Sequence, residues 1–161
     1  MKGFRVLVVD DSRAARQVLV TAMTSLGSGA CDEAVDGAEA LKRFASGEYD
    51  LVVTDVHMPR LDGLKLIHHI RTGGRRARVP ILVVTTDRTE AERARAMGAG
   101  ASAFLSKPVE PEDVSRAAAS LLGARPEVGV RNRAASRTRS VPGCAVTPPG
   151  DPCHIGQSST S

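Results

Sequence analysis

The sequence predicts an α/β fold: a five-stranded parallel sheet, doubly wound, with helices on both faces. Three observations carry this. Short runs of consecutive apolar, mostly β-branched residues recur, as at Val6–Val9, Leu51–Val53 and Ile81–Val84, the pattern of strands buried on both faces. Segments between them place apolar residues at helical spacing. The two patterns alternate five times, as parallel strands joined by helical crossovers require.

The first strand spans Arg5 to Val9 and ends in Asp10-Asp11. Ala15, Val18, Leu19, Ala22, Met23 and Leu26 form the stripe of a first helix, with Asp11 or Ser12 as its cap and Gly27 as its stop. A short second strand covers Ala30 to Ala34. Asp36-Gly37-Ala38-Glu39 reads as a helix start with an acidic cap and a Glu three residues on. Leu41, Phe44 and Ala45 give that helix its apolar side, and Gly47 closes it. The third strand, Leu51-Val52-Val53-Thr54, delivers Asp55 to its carboxyl edge, where ligands bind in open α/β sheets.

A loop from His57 to Gly63 leads into a third helix that ends near Arg71, with Leu64, Ile67 and Ile70 inward. Gly73-Gly74-Arg75-Arg76 is expected as a solvated turn. Pro80 opens a fourth strand running to Thr85, at the position where a strand tolerates proline. The fourth helix, about Arg88 to Met97, offers only Ala91, Ala94 and Met97 for apolar contact, so weak anchorage is expected. Gly98 and Gly100 break it. Ala103-Phe104-Leu105 is the fifth strand, followed by Ser106-Lys107-Pro108. Pro111 suits the first turn of a last helix whose inner face is Val114, Ala117, Ala118, Leu121 and Leu122.

The periodicity ends near Gly123. Residues 124–161 are rich in Arg, Ser, Pro and Gly and are expected to be a disordered tail, with 1–123 as the folded domain. Of the net charge of +4, the tail supplies +3, from five arginines against Glu127 and Asp151. The basic balance therefore does not mark a nucleic-acid face on the folded part. No stretch approaches the ~20 apolar residues of a membrane span, the N-terminal apolar run is too short for a signal peptide, and three scattered cysteines suit a reducing compartment. The expected location is the cytoplasm, without membrane contact.

The strand ends converge on one edge. They deliver Asp10 and Asp11, Asp55, Thr85 and Thr86, and Lys107. Three converging carboxylates repel unless a cation sits among them, and Mg2+ suits all-oxygen ligands. A carboxylate nucleophile, a metal, a lysine and a hydroxyl are the parts that phosphoryl transfer needs.

Asp10-Asp11-Ser12, Asp55-Val56-His57-Met58-Pro59 with Asp62-Gly63, Thr85-Thr86 and Lys107-Pro108 resemble the receiver domain of two-component response regulators, the CheY-like family, over roughly residues 3 to 123. The surrounding texture is similar to stand-alone chemotaxis-type receivers. The resemblance implies a flavodoxin-like (βα)5 fold and a role for each position. Asp55 is the phospho-acceptor, Asp11 a direct Mg2+ ligand and Asp10 its partner through water. The His57 backbone carbonyl is a further ligand. Thr85 is the switch hydroxyl, Phe104 the aromatic that turns with it, and Lys107 the phosphoryl contact. The bond before Pro108 is implied to be cis. The implied partners are a sensor histidine kinase and a downstream protein bound through the face of the fourth helix, fifth strand and fifth helix. The chain is then a switch in a phosphorelay rather than an enzyme in its own right.

Other readings attach to the same residues. Asp10-Asp11 alone is a helix cap and turn, Phe104 alone is core, Thr86 a rim residue, and Asp62 part of a loop. His57, with Asp87 two residues after Thr85, sits where the resemblance implies an effect on hydrolysis of the acyl phosphate. His68-His69 point apart on a helix and make a poor chelate. Cys144, Cys153 and His154 lack a four-ligand zinc spacing. Specific nucleic-acid binding is not expected, since the tail's arginines have no interleaved aromatics. A Mg2+-dependent phosphatase with an aspartyl nucleophile, of the haloacid dehalogenase kind, usually carries a second Asp where His57 stands. A receiver-like interaction domain without phosphorylation would not need Asp10, Asp11, Asp55, Thr85 and Lys107 together. A transcription factor would need an output domain, which the residues after Gly123 are not expected to form.

Overall fold

The computed structural model describes residues 3–123. The expected tail at 124–161, with Cys144, Cys153 and His154, lies outside the described residues. Strands and helices alternate as the apolar runs require: β1 (Arg5–Val9), α1 (Arg13–Ser25), β2 (Ala30–Ala34), α2 (Gly37–Ser46), β3 (Leu51–Thr54), α3 (Gly63–Thr72), β4 (Ile81–Thr85), α4 (Glu90–Ala99), β5 (Ala103–Ser106) and α5 (Pro111–Leu122). All strand pairs are parallel, in the order β2-β1-β3-β4-β5, the flavodoxin-like arrangement.

Alternate strand residues face opposite sides and build two cores. Leu7, Val9, Val52, Ile81 and Val83 pack with Phe44 of α2, Leu66, Ile67 and Ile70 of α3, and Ala96 of α4. Val6, Val8, Leu51, Val53, Leu82 and Val84 pack with Leu19, Ala22 and Met23 of α1 and Val114 and Ala118 of α5. β1, β3 and β4 are buried almost throughout, so each large side chain contributes about 1.5–3 kcal/mol by leaving water.

The helix starts follow from their caps. Ser12, Asp36, Asp62 and Thr89 each accept a backbone N–H from the first turn of α1, α2, α3 and α4 respectively. Glu39 reaches back to the Val35 N–H at 3.1 Å, one residue earlier than a capping box has it.

Two elements depart from expectation. Gly74–Arg76 forms a 3₁₀ turn rather than a freely solvated one. Arg76 there donates to the carbonyls of Phe44, at 2.8 Å, and Gly47, at 2.6 Å, complementing the C-terminal end of α2. In α4 the buried residues are Glu92 and Ala96, whereas Ala91 and Ala94 are exposed and Met97 is 42% exposed. Arg71 of α3 donates to the Gly100 carbonyl at 2.8 Å, and Gly100 holds φ at +112°. That anchorage at the helix end, rather than an apolar stripe, goes with the observed face. The weak apolar anchorage itself stands as expected.

Candidate functional site

The first acid comes from β1. Asp10 is fully buried, and its Oδ1 accepts the Ser12 N–H at 2.8 Å, a turn that leads straight into α1. Asp11 follows on the exposed rim. Asp55 follows β3 and is 5% exposed; its N–H donates to the Val9 carbonyl at 2.9 Å, which keeps it level with the end of β1. Its Oδ1 accepts the N–H groups of Val56, at 2.6 Å, and His57, at 3.2 Å. One carboxylate oxygen is therefore fixed by the main chain and the other points into the site.

That other oxygen, Oδ2, accepts from Lys107 Nζ at 2.9 Å, and the same ammonium donates to Asp10 Oδ2 at 2.5 Å. Lys107 reaches the acids from beyond β5, across 97 residues from Asp10. Its own N–H donates to the Thr85 carbonyl at 2.7 Å, and its bond to Pro108 is cis. Burial pulls the Lys107 ammonium down, but its hydrogen bonds to Asp10 and Asp55 outweigh this and hold it above the usual lysine range. Burial pushes Asp10 up, and hydrogen bonds from Lys107 and Ser12 offset only part of that rise.

Oxygens of Asp10, Asp11 and Asp55 all lie within 4.8 Å of one another. Three carboxylates beside one ammonium leave an excess of negative charge that a single divalent cation neutralises, and every donor is a hard oxygen. The residues present therefore fit Mg2+. At the end of β4 the buried Thr85 hydroxyl has no hydrogen-bond partner. A buried polar atom without a partner is costly.

The other expected positions are placed as follows. Phe104, half-buried in β5, packs against the α2–α3–α4 core and pairs in register with Val83. His57 is exposed at the mouth, and Asp87 is half-buried nearby. Hydrogen bonds from the Thr89 N–H and hydroxyl hold the Asp87 carboxyl below its usual range, with a smaller contribution from His57. Thr86 is exposed, and Asp62 caps α3 rather than merely serving a loop. His68 and His69 are exposed on α3, apart from the acidic group.

Three contributors were not read from the sequence. Gly63 packs so closely that a Cβ would stand 2.0 Å from the Asp55 carbonyl oxygen. The Thr54 hydroxyl donates to that same carbonyl at 2.8 Å. Arg88 bonds the Lys107 carbonyl. The Asp62-Gly63 pair was the available signal for the first; the others depend on backbone carbonyls, which residue types do not reveal.

Among the described residues no helix is long and apolar enough to cross a membrane. Residues 6–119 match the family described as "Response regulator receiver domain". The response regulator MprA of Mycolicibacterium vanbaalenii is 41% identical over 132 residues, covering 81% of this chain and 56% of that protein. A gliding motility regulatory protein of Myxococcus xanthus is 38% identical over 106 residues, covering 66% of this chain and 14% of that protein. The chain thus spans about half the length of the MprA proteins and far less of the gliding regulator. The chemotaxis response regulator CheY4 of Vibrio cholerae has a similar structure, with a TM-score of 0.70 at 28% identity over 74% of this chain and 98% of that one. So has the receiver domain of a Pseudomonas aeruginosa sensor histidine kinase, described with a magnesium ion coordinated in the active-site cleft. Its TM-score is 0.69 at 27% identity, over 76% of this chain and 99% of that one. With a matching family over most of the described residues, the expected sheet order and the acidic edge in place, this chain belongs to the response regulator receiver domain family.

Proposed function

We propose that Asp55 accepts a phosphoryl group from a phosphohistidine of a sensor histidine kinase, within the unit 1–123. The Asp55 oxygen forms the new P–O bond as the P–N bond breaks, and the imidazole leaves with the electron pair. Asp10, Asp11, Asp55 and the His57 carbonyl would hold Mg2+, which would supply charge neutralisation at the phosphoryl oxygens. Lys107 is already poised at Asp55 and keeps its positive charge. Thr85 then donates to a phosphoryl oxygen, and Phe104 turns inward with it. The face made by α4, β5 and α5 changes shape and binds a downstream protein in the cytoplasm. This is a local electrostatic event biasing a two-state element.

The observation that carries the reading is the Asp55 carboxylate with one oxygen tied to the main chain and the other met by Lys107, whose own N–H donates to the carbonyl of Thr85, a residue with a buried, unpartnered hydroxyl. Incubation with a small phosphodonor and Mg2+ is expected to add one phosphoryl group, labile as an acyl phosphate, and Asp55→Asn is expected to add none. Equal labelling of Asp55→Asn would refute the assignment.

A further inference from the structure

Arg88 stands in the loop between β4 and α4, three residues after Thr85, with an exposed side chain. Its guanidinium donates twice to one acceptor, the Lys107 carbonyl, from Nε at 3.2 Å and Nη2 at 3.0 Å. The Lys107 N–H donates to the Thr85 carbonyl at 2.7 Å. Both polar groups of the Lys107 main chain are therefore held by one short segment of chain. None of the ion pairs among the described residues includes Arg88, so no carboxylate accounts for its placement. Ordering a long exposed side chain costs rotamer entropy, which these two bonds offset. A planar fork loses less freedom per hydrogen bond than a lysine does.

We propose that Arg88 is a positioning residue for the phosphoryl site. It clasps the β4–α4 loop to the Lys107 main chain and so fixes where the ammonium stands relative to Asp55. The flexible stem of Lys107 starts from that main chain, and its Nζ must meet Asp10, Asp55 and an incoming phosphoryl oxygen together. Because Thr85 and Arg88 share a segment, the hydroxyl and the ammonium keep a fixed spacing. This inference rests on Asp55 as the acceptor.

The test measures Mg2+-dependent beryllofluoride binding to the full chain by amide shifts. Arg88→Ala is expected to weaken binding about three- to tenfold, the scale of a net hydrogen bond or two. In a Lys107→Ala background the same change should cost less than about twofold, because the two residues act as one unit. Arg88→Lys should recover part of the loss, and the urea midpoint of Arg88→Ala should match the unaltered chain. The Lys107 ε-methylene resonance should move in Arg88→Ala and stay in an Arg95→Ala control, which decides the matter even if Lys107→Ala binds too weakly to measure. No loss in Arg88→Ala, equal losses in both backgrounds, or an unmoved Lys107 resonance would overturn the proposal. Failure of the unaltered chain to bind beryllofluoride would instead overturn the acceptor reading on which it rests.

Discussion

Two buried threonines at the ends of β3 and β4 make opposite predictions under the same substitution. Thr54 and Thr85 are both fully buried. The Thr54 hydroxyl donates to the Asp55 carbonyl at 2.8 Å, whereas the Thr85 hydroxyl donates to nothing. Valine has nearly the same shape as threonine, so each replacement mainly deletes a hydroxyl. At Thr54 the deletion removes a hydrogen bond worth about 0.5–1.5 kcal/mol net. At Thr85 it removes the penalty of a buried polar atom without a partner, about 1–3 kcal/mol. Thr54→Val should therefore destabilise and Thr85→Val stabilise, with a gap of about 1.5–4.5 kcal/mol between them. With a urea slope of about 1–3 kcal/mol per molar, the two midpoints should stand on the order of 1 M apart. The assay is equilibrium unfolding in chelator, with equal slopes for the two variants. The beryllofluoride response supplies the second half: Thr85→Val should lose the shifts at Phe104 and Thr54→Val should keep them. Midpoints that move together, or a Thr85→Val less stable than the unaltered chain, would refute the account of Thr85 as a hydroxyl held without a partner.

Other perturbations follow from the same structure. Glu92 is 2% exposed with Oε1 unpartnered and Oε2 on Arg95, whose side chain is 67% exposed, so Glu92→Met should raise stability by about 1–3 kcal/mol. A lowered urea midpoint would contradict this. Gly63→Ala should cost about 1–3 kcal/mol and impair phosphorylation, because the new Cβ would stand 2.0 Å from the Asp55 carbonyl oxygen. Unfolding and phosphodonor labelling check the two effects separately. Lys107 is raised above its ordinary 10.5 in the folded chain, so its contribution is full below that value and is lost as pH rises through the folded one. The alkaline fall in urea midpoint should be shallower in Lys107→Met, and identical slopes would show that the ammonium adds nothing.

The site residues were legible because of topology more than chemistry. A parallel sheet sends every strand's carboxyl end to one edge, so Asp10, Asp55, Thr85 and Lys107 could be brought together once the apolar runs were read as strands. Their pairing was less accessible. That Lys107 would bridge Asp10 and Asp55 depends on distances within the pocket, not on spacing along the chain. The inner face of α4 was misread because its apolar residues are mostly alanines, which mark no clear side of a helix. Arg71 and Arg88 marked only helix ends and Arg76 a solvated turn, yet each donates to backbone carbonyls. Such acceptors have no signature in residue type, so roles of this kind become visible only in coordinates.

The strand order sorts the sheet by how costly each strand is to displace. β1 and β3 have neighbours on both sides, so moving Asp10 or Asp55 would break two ladders at once. β5 is paired on one side only, with β4. A shift at Phe104 therefore disturbs half as many main-chain bonds as a shift at the acids. The stiff middle holds Asp10 and Asp55 at fixed spacing, while the margins, β2 and β5, yield first. Of the two margins, β2 and β5, the second carries Phe104, so the proposed phosphorylation of Asp55 would have a cheap direction in which to relax there.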